Sequence, residues 1–213
     1  MSEQQVDPMG ESGIIFRRYD AAEARRCRDT VESVYTRSYV RAIMSGDPFD
    51  SVEAFMCRFD SYSSQDNFDL VVAYLDDEAI GQTWGWPLSQ NTQWWAGLLS
   101  EPEPDFARED GDRTFALSEI MVSQEWTGRG IAHALHDKLL STRRELRATL
   151  LVEPENTTAY QAYLHWGWRK VAQLRPAWNH APTFDVLILT LNEKNKAKSD
   201  PLITNSSPPN QPD

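Results

Sequence analysis

Cysteine is nearly missing from this chain of 213 residues, where only Cys27 and Cys57 occur. They lie far apart and have no His or Cys neighbours at metal-ligand spacing, which argues against a disulfide scaffold and a cysteine-based zinc site. Both are expected to be buried, reduced thiols. Basic residues are also scarce. Lys and Arg total 21 against 32 Asp and Glu, a net charge of −11. That sign argues against nucleic acid as a main partner, because a phosphate backbone rewards the opposite charge. No apolar run approaches the ~18 residues of a membrane span. The opening MSEQQVDPMGE carries neither the basic nor the apolar region of a signal peptide. The expectation is a cytoplasmic protein with no membrane partner.

What is present is enough for one core, since 213 residues at 40% hydrophobic suit a single domain. Residues 192–213, NEKNKAKSDPLITNSSPPNQPD, hold too little apolar surface to offset the entropy of ordering. The expected organisation is a disordered stretch over 1–11, a domain over 12–191 and a disordered tail over 192–213. IIFRRY (14–19) reads as a strand, Ala21 to Met44 as a helix ending at the breaker SGDP, and Val52 to Tyr62 as a second helix. FDLVVAYL (68–75) and IGQTWGW (80–86), joined by polar DDEA, have the rhythm of a hairpin. TFALSEIMV (114–122) predicts a strand, about Gly128 to Arg144 a helix, and ATLLVE (148–153) a strand. NTTAYQAYLHW then reads as a helix, and WRKVAQL and FDVLILTL (184–191) as the last strands. Strands paired partly as hairpins and partly through helices indicate an α/β fold with a mixed sheet.

Between 114–122 and the following helix lies QEWTGRGIA (124–132), with two glycines, an arginine and no acid in its second half. Glycines there let a ligand approach the backbone, and the free N–H groups of a helix start carry partial positive charge, so the place suits a phosphate. Turn glycines alone have a plainer reading as loop geometry. A second set follows: Asn156, Ala159, Tyr163 and Gly167-Trp168.

Together the two stretches resemble the GNAT superfamily of acetyl-CoA-dependent N-acetyltransferases. The family's pyrophosphate loop, R/Q-x-x-G-x-G/A, is matched at Gly130 and Ala132, whereas Thr127 stands where Arg or Gln is usual. The resemblance implies a mixed, mostly antiparallel central sheet flanked by helices in a single domain. It also implies acetyl-CoA as acyl donor, no metal, and transfer to an amine acceptor that is a small molecule or a protein. It implies that strand 114–122 splays from strand 148–153 to admit the pantetheine arm, and that an N–H near Met121 or Val122 polarises the thioester carbonyl. The cofactor-binding residues implied are Ile120, Met121, Val122, Thr127, Gly128, Arg129, Gly130, Ile131, Ala132, Asn156 and Tyr163.

Tyr163 is implied as the acid that protonates the departing thiolate, against the plain reading of a core aromatic on the Ala159 face. Glu119, an acid in an apolar strand, is the candidate base, directly or through water, although an outward-facing glutamate would be ordinary there. Asn156 is an N-cap, and the family places its equivalent near the cofactor. His133 and His136, three apart with no evident third ligand, read as surface histidines. The segment from Pro87 to Arg113 is too long for a routine connection. Its Trp94-Trp95 and its acids Glu101, Glu103, Asp105, Glu109, Asp110 and Asp112 either face a cationic acceptor or pin a solvated loop. Two rival readings stay open. A dinucleotide site would use Glu153 as ribose acid but finds His133 in place of its third glycine. An acyl-CoA sensor would keep the cradle without turnover. A homodimer is neither required nor opposed.

Overall fold

The computed structural model describes residues 13–177 and 181–191. The segments read as disordered, 1–11 and 192–213, lie outside the described residues. The elements run β1 (Ile14–Asp20), α1 (Ala21–Arg26), α2 (Arg28–Ser38), α3 (Val40–Ser45), a short 3-10 turn (Pro48–Asp50), α4 (Val52–Tyr62), β2 (Asp69–Leu75), β3 (Glu78–Pro87) and β4 (Thr114–Val122). They continue with a 3-10 turn (Gln124–Trp126), α5 (Ile131–Leu140), β5 (Arg147–Val152), α6 (Thr157–His165), β6 (Arg169–Leu174) and β7 (Phe184–Thr190). Among the described residues no helix is long and apolar enough to cross a membrane.

The seven strands form one sheet in the order β1-β2-β3-β4-β5-β7-β6. Each neighbouring pair is antiparallel except β4 and β5. Strands β2 and β3 are buried along nearly their whole length, because helices cover both faces of the sheet. That is why FDLVVAYL reads as a continuous apolar run. Against one face α2 and α4 bring Val31, Val34, Tyr35, Phe55 and Phe59 onto Trp84. Against the other, α5 and α6 bring Ile131, Leu135, Leu139 and Tyr163 onto Phe115, Leu117 and Leu150. Each fully buried large side chain contributes on the order of 1.5–3 kcal/mol relative to exposure.

The helix starts follow from their caps. Asp20 accepts from the Glu23 amide while the Glu23 carboxylate accepts from the Asp20 amide, a reciprocal capping box at α1. Ser51 accepts from the Ala54 amide to open α4. The single helix read over 21–44 is instead three, broken at Cys27 and Tyr39. Beside the second break the Ser38 hydroxyl donates to the Val34 carbonyl at 2.7 Å, a back-bond that bends helices. The helix read over 128–144 contracts to Ile131–Leu140, because Gly128 and Gly130 hold positive φ.

Candidate active site in the gap between β4 and β5

Strands β4 and β5 pair only at Thr114↔Arg147, Phe115↔Ala148 and Ala116↔Thr149. Both continue beyond that point, β4 to Val122 and β5 to Val152, so they diverge into a wedge. Ser118 makes a bulge in β4, since Trp84 pairs with Glu119 while the next residue, Gly85, pairs with Leu117. A bulge locally redirects side chains. Glycine is required at 85, because a Cβ there would sit 2.0 Å from the Ala116 carbonyl oxygen. The Thr83 hydroxyl donates to the Glu119 carbonyl at 2.7 Å and fixes the strand after the bulge.

At the end of β4 the chain enters the glycine loop. Gly128 has φ 74° and Gly130, the N-cap of α5, has φ 78°. A Cβ on either would meet no atom within 4 Å, so the glycines serve backbone conformation and leave open space beside it. Among the described residues the amides of 128–133 donate to no protein acceptor. They form a run of free donors at the positive end of a ten-residue helix. Thr127 caps the preceding 3-10 turn, its hydroxyl donating to the Gln124 carbonyl. Arg129 is exposed, with its guanidinium 4.5 Å from the centroid of the Trp126 ring. Ile131 is buried beneath the cradle, and Ala132 is half-buried in the first turn of α5.

The wedge opens into a cleft of about 330 Å³. Glu119 and Ile120 from β4, Asn156 from the cap of α6, and Tyr163 from α6 all line it. Met121 and Val122 do not. Met121 is buried, its sulfur accepting from Gln82 at 3.3 Å, and Val122 pairs with Gly81. Asn156 accepts from the Ala159 amide at 3.4 Å. Burial pushes the Glu119 carboxyl up to about 7, with Arg58 drawing it back. Burial first, and Glu119 second, hold the Tyr163 phenol well above its ordinary range, so it remains protonated at neutral pH. A carboxyl with a raised pKa and a phenol held protonated therefore share one cleft.

The opposite wall comes from residues that carry no motif: Tyr35 and Tyr39 around the α2–α3 break, Phe49 and Asp50 in the 3-10 turn, and Arg58 and Tyr62 on α4. Tyr39 stacks on Tyr35 with centroids 5.1 Å apart. Burial, then Glu119 and Tyr163, raise its phenol strongly. Spacing offered one signal, since Phe55, Arg58 and Tyr62 fall on one helical stripe (i, i+3, i+7).

The two tryptophans of the long loop divide the readings made for them. Trp94 lines the cleft and meets Trp86 edge-on at 5.8 Å. Trp95 is buried and pins the loop, donating to the Glu109 carboxylate at 3.0 Å, which also accepts from Thr114 and Arg147. Glu109 is thus a structural anion, and the other acids of that loop do not line the cleft. Its acids are instead Asp50, Glu119 and Glu153. Cys27 is half-buried and Cys57 exposed, not both buried as read, since Cys27 sits at the α1–α2 junction and Cys57 on the outward side of α4. His133 is exposed, whereas His136 is buried and accepts at Nε2 from the Trp168 indole N–H at 3.0 Å. The structure adds Asp137 to the pair, with donor atoms within 4.8 Å of one another. The indole bond leaves the His136 proton on Nδ1, which faces Asp137 at 2.9 Å, so the ring has no lone pair there for a metal.

A sheet that is antiparallel except at one central pair, opened at that pair and with free amides at the end of one strand, departs from a dinucleotide-binding domain, whose sheet is mostly parallel. The model of the Acetyltransferase (GNAT) family matches residues 29–168, and the chain belongs to that family. Its members use acetyl-CoA, and the chain is an acyltransferase. An acetyltransferase from Thermus thermophilus is similar in fold, with TM-score 0.56 at 12% identity over 84% of this chain and 97% of that one. Ard1 from Thermoplasma volcanium gives 0.55 at 14% over 84% and 98%. PaiA N-acetyltransferase from Thermoplasma acidophilum, solved in complex with coenzyme A, gives 0.52 at 13% over 83% and 98%. No curated protein matches the sequence.

Proposed function

We propose that this protein transfers an acetyl group from acetyl-CoA to a primary amine within a ternary complex. The observation that carries the reading is that Glu119 and Tyr163 line one cleft, opened where β4 and β5 part. The free amides of 128–133, with Arg129 beside them, hold the diphosphate. The unpaired edge of β4, over Ile120, Met121 and Val122, takes the amide-rich pantetheine arm as an added strand, and one of its N–H groups polarises the thioester carbonyl. Thr127 and Ala132 frame the cradle, Ile131 supports it from below, and Asn156 lies beside the arm.

A primary amine with a pKa of about 10.4 arrives protonated at pH 7. Glu119, directly or through water, takes that proton, as its raised pKa allows. The amine nitrogen attacks the carbonyl carbon, the C–S bond breaks, the Tyr163 hydroxyl protonates the leaving sulfur, and the proton shed by the new amide nitrogen passes through water to restore the phenol. An acyl-CoA sensor would need the cradle but neither proton-handling group, and the cleft contains both. The testing measurement is a thermal-shift series with acetyl-CoA, CoA, NAD and NADP. A ligand at 100 times its dissociation constant stabilises by about 2.7 kcal/mol. Stabilisation by CoA and acetyl-CoA is expected, and a response to NAD without one to CoA would overturn the proposal.

A further inference from the structure

The cleft's charges are segregated. Asp50, Glu119 and Glu153 line it, and Arg58 is the only cation among its described lining residues. Even so, among the described residues no carboxylate lies within ion-pair distance of the Arg58 guanidinium. Its Nη1 donates to the Phe49 carbonyl at 2.8 Å, and its carbon sits 4.0 Å from the centroid of the Phe49 ring. That contact holds the planar fork at the cleft wall, and among the described residues its Nε and Nη2 donate to no protein acceptor. An arginine held by a ring and a carbonyl, whose charge Asp50 and Glu119 feel without pairing with it directly, is preorganised for an anion supplied from outside. The rest of the wall is largely aromatic, with Tyr39, Tyr62 and Trp94 among its lining residues.

Resting on the acetyltransferase reading, we propose that the acceptor is an amino acid with an apolar or aromatic side chain. Its carboxylate is held by Arg58, its side chain lies among the aromatic rings, and its amine is turned toward Glu119. Asp50 and Glu153 at the mouth favour entry of the ammonium. A polyamine gains nothing from Arg58 and is repelled by it. A protein N-terminus offers no carboxylate at that distance from its amine.

The experiment compares matched acceptors, phenylalanine against phenylethylamine and leucine against isopentylamine. Thiol release and mass spectrometry of the N-acetyl product are the readouts, and CoA binding is followed separately by thermal shift. The wild type should prefer the carboxylate-bearing member by roughly tenfold to hundredfold in kcat/KM, the range for a charge-assisted contact. In Arg58→Leu that preference should fall at least tenfold, mainly through KM, and Arg58→Lys should restore part of it. An arginine that acts only by tuning Glu119 would change both members of a pair equally and shift the pH profile for both, which would overturn the proposal. A wild-type preference for the simple amines, or CoA binding with acetylation of neither amino acid, would overturn it too while leaving the acetyltransferase reading intact. Absence of CoA binding would defeat that reading itself.

Discussion

Replacing Glu119 by Gln keeps the shape of the side chain and removes its charge, so it separates what the carboxylate costs from what it does. Burial raises this carboxyl from its ordinary 4.5 to about 7. The folded protein therefore binds a proton here, between those two values, that the unfolded chain has already released. Stability then falls as pH rises through that window and levels off above about 7. A rise of roughly 2.5 pH units corresponds to about 3 kcal/mol at 1.36 kcal/mol each, an upper bound because water in the open cleft screens the charge. Urea unfolding of wild type and Glu119→Gln at pH 5 and pH 8, without ligand, measures it, because every other titrating group cancels in the double difference. Relative to wild type, the variant should gain roughly 1–3 kcal/mol on going from pH 5 to pH 8. Its acetyl-transfer rate should drop by about 10²-fold, and the acidic limb of the wild-type kcat/KM profile, centred near pH 7, should be lost. Parallel stability curves for the two proteins would refute the desolvated carboxyl and the role built on it.

Other substitutions probe the remaining parts. Gly130→Val places a branched residue at φ 78° with no atom within 4 Å of its Cβ. The fold should lose only about 1–2 kcal/mol while CoA affinity falls more than tenfold; Gly111→Val, at φ 98° in similarly open space, is the control that should strain the chain and spare CoA binding. Tyr163→Phe should lower kcat by roughly 10²-fold with acetyl-CoA affinity nearly unchanged, and wild-type turnover with chemistry rate-limiting would make the residue a packing aromatic. Trp94→Ala should raise the acceptor's KM with CoA binding intact, whereas Trp95→Ala should cost about 3–5 kcal/mol of stability because it empties a buried site and removes a donor from Glu109. Equal destabilisation by both would show that Trp94 is also a pin.

The parts of the fold legible in sequence were those whose patterns are local. TFALSEIMV coincides with β4 and Val52 to Tyr62 with α4, since each is an apolar run or stripe between clear stops. The break at Tyr39 was not legible, because it depends on a serine back-bond and on stacking against Tyr35. Both are choices of side-chain geometry that leave the apolar spacing unchanged. His136 departs from its surface reading for a related reason: its burial depends on Trp168, 32 residues away, finding an acceptor for its indole N–H. One side of the candidate site was visible as a glycine loop and an Asn-Ala-Tyr set. The facing wall was not, because Tyr39, Asp50 and Arg58 come from three short elements that meet only after the sheet has formed.

The topology explains why the two halves of the candidate site meet where they do. The β4–β5 pair is the only parallel one among the described strands, and parallel neighbours need a crossover, here α5. In such a crossover the helix begins beyond the carboxyl end of the first strand, so its free amides lie at the end of β4 where the strands also diverge. Ligands of open α/β sheets bind outside the carboxyl ends of strands for this reason. The bulge at Ser118 turns the strand just past the last β4–β5 pair, at the position of Glu119. Antiparallel pairs on either side, β3 with β4 past its bulge and β5 with β7, hold the edges of the wedge apart. The run of free amides, the gap beside β4 and the half-buried Glu119 therefore arise from one local departure in an otherwise antiparallel sheet. Closing that gap by continued β4–β5 pairing would remove all three together.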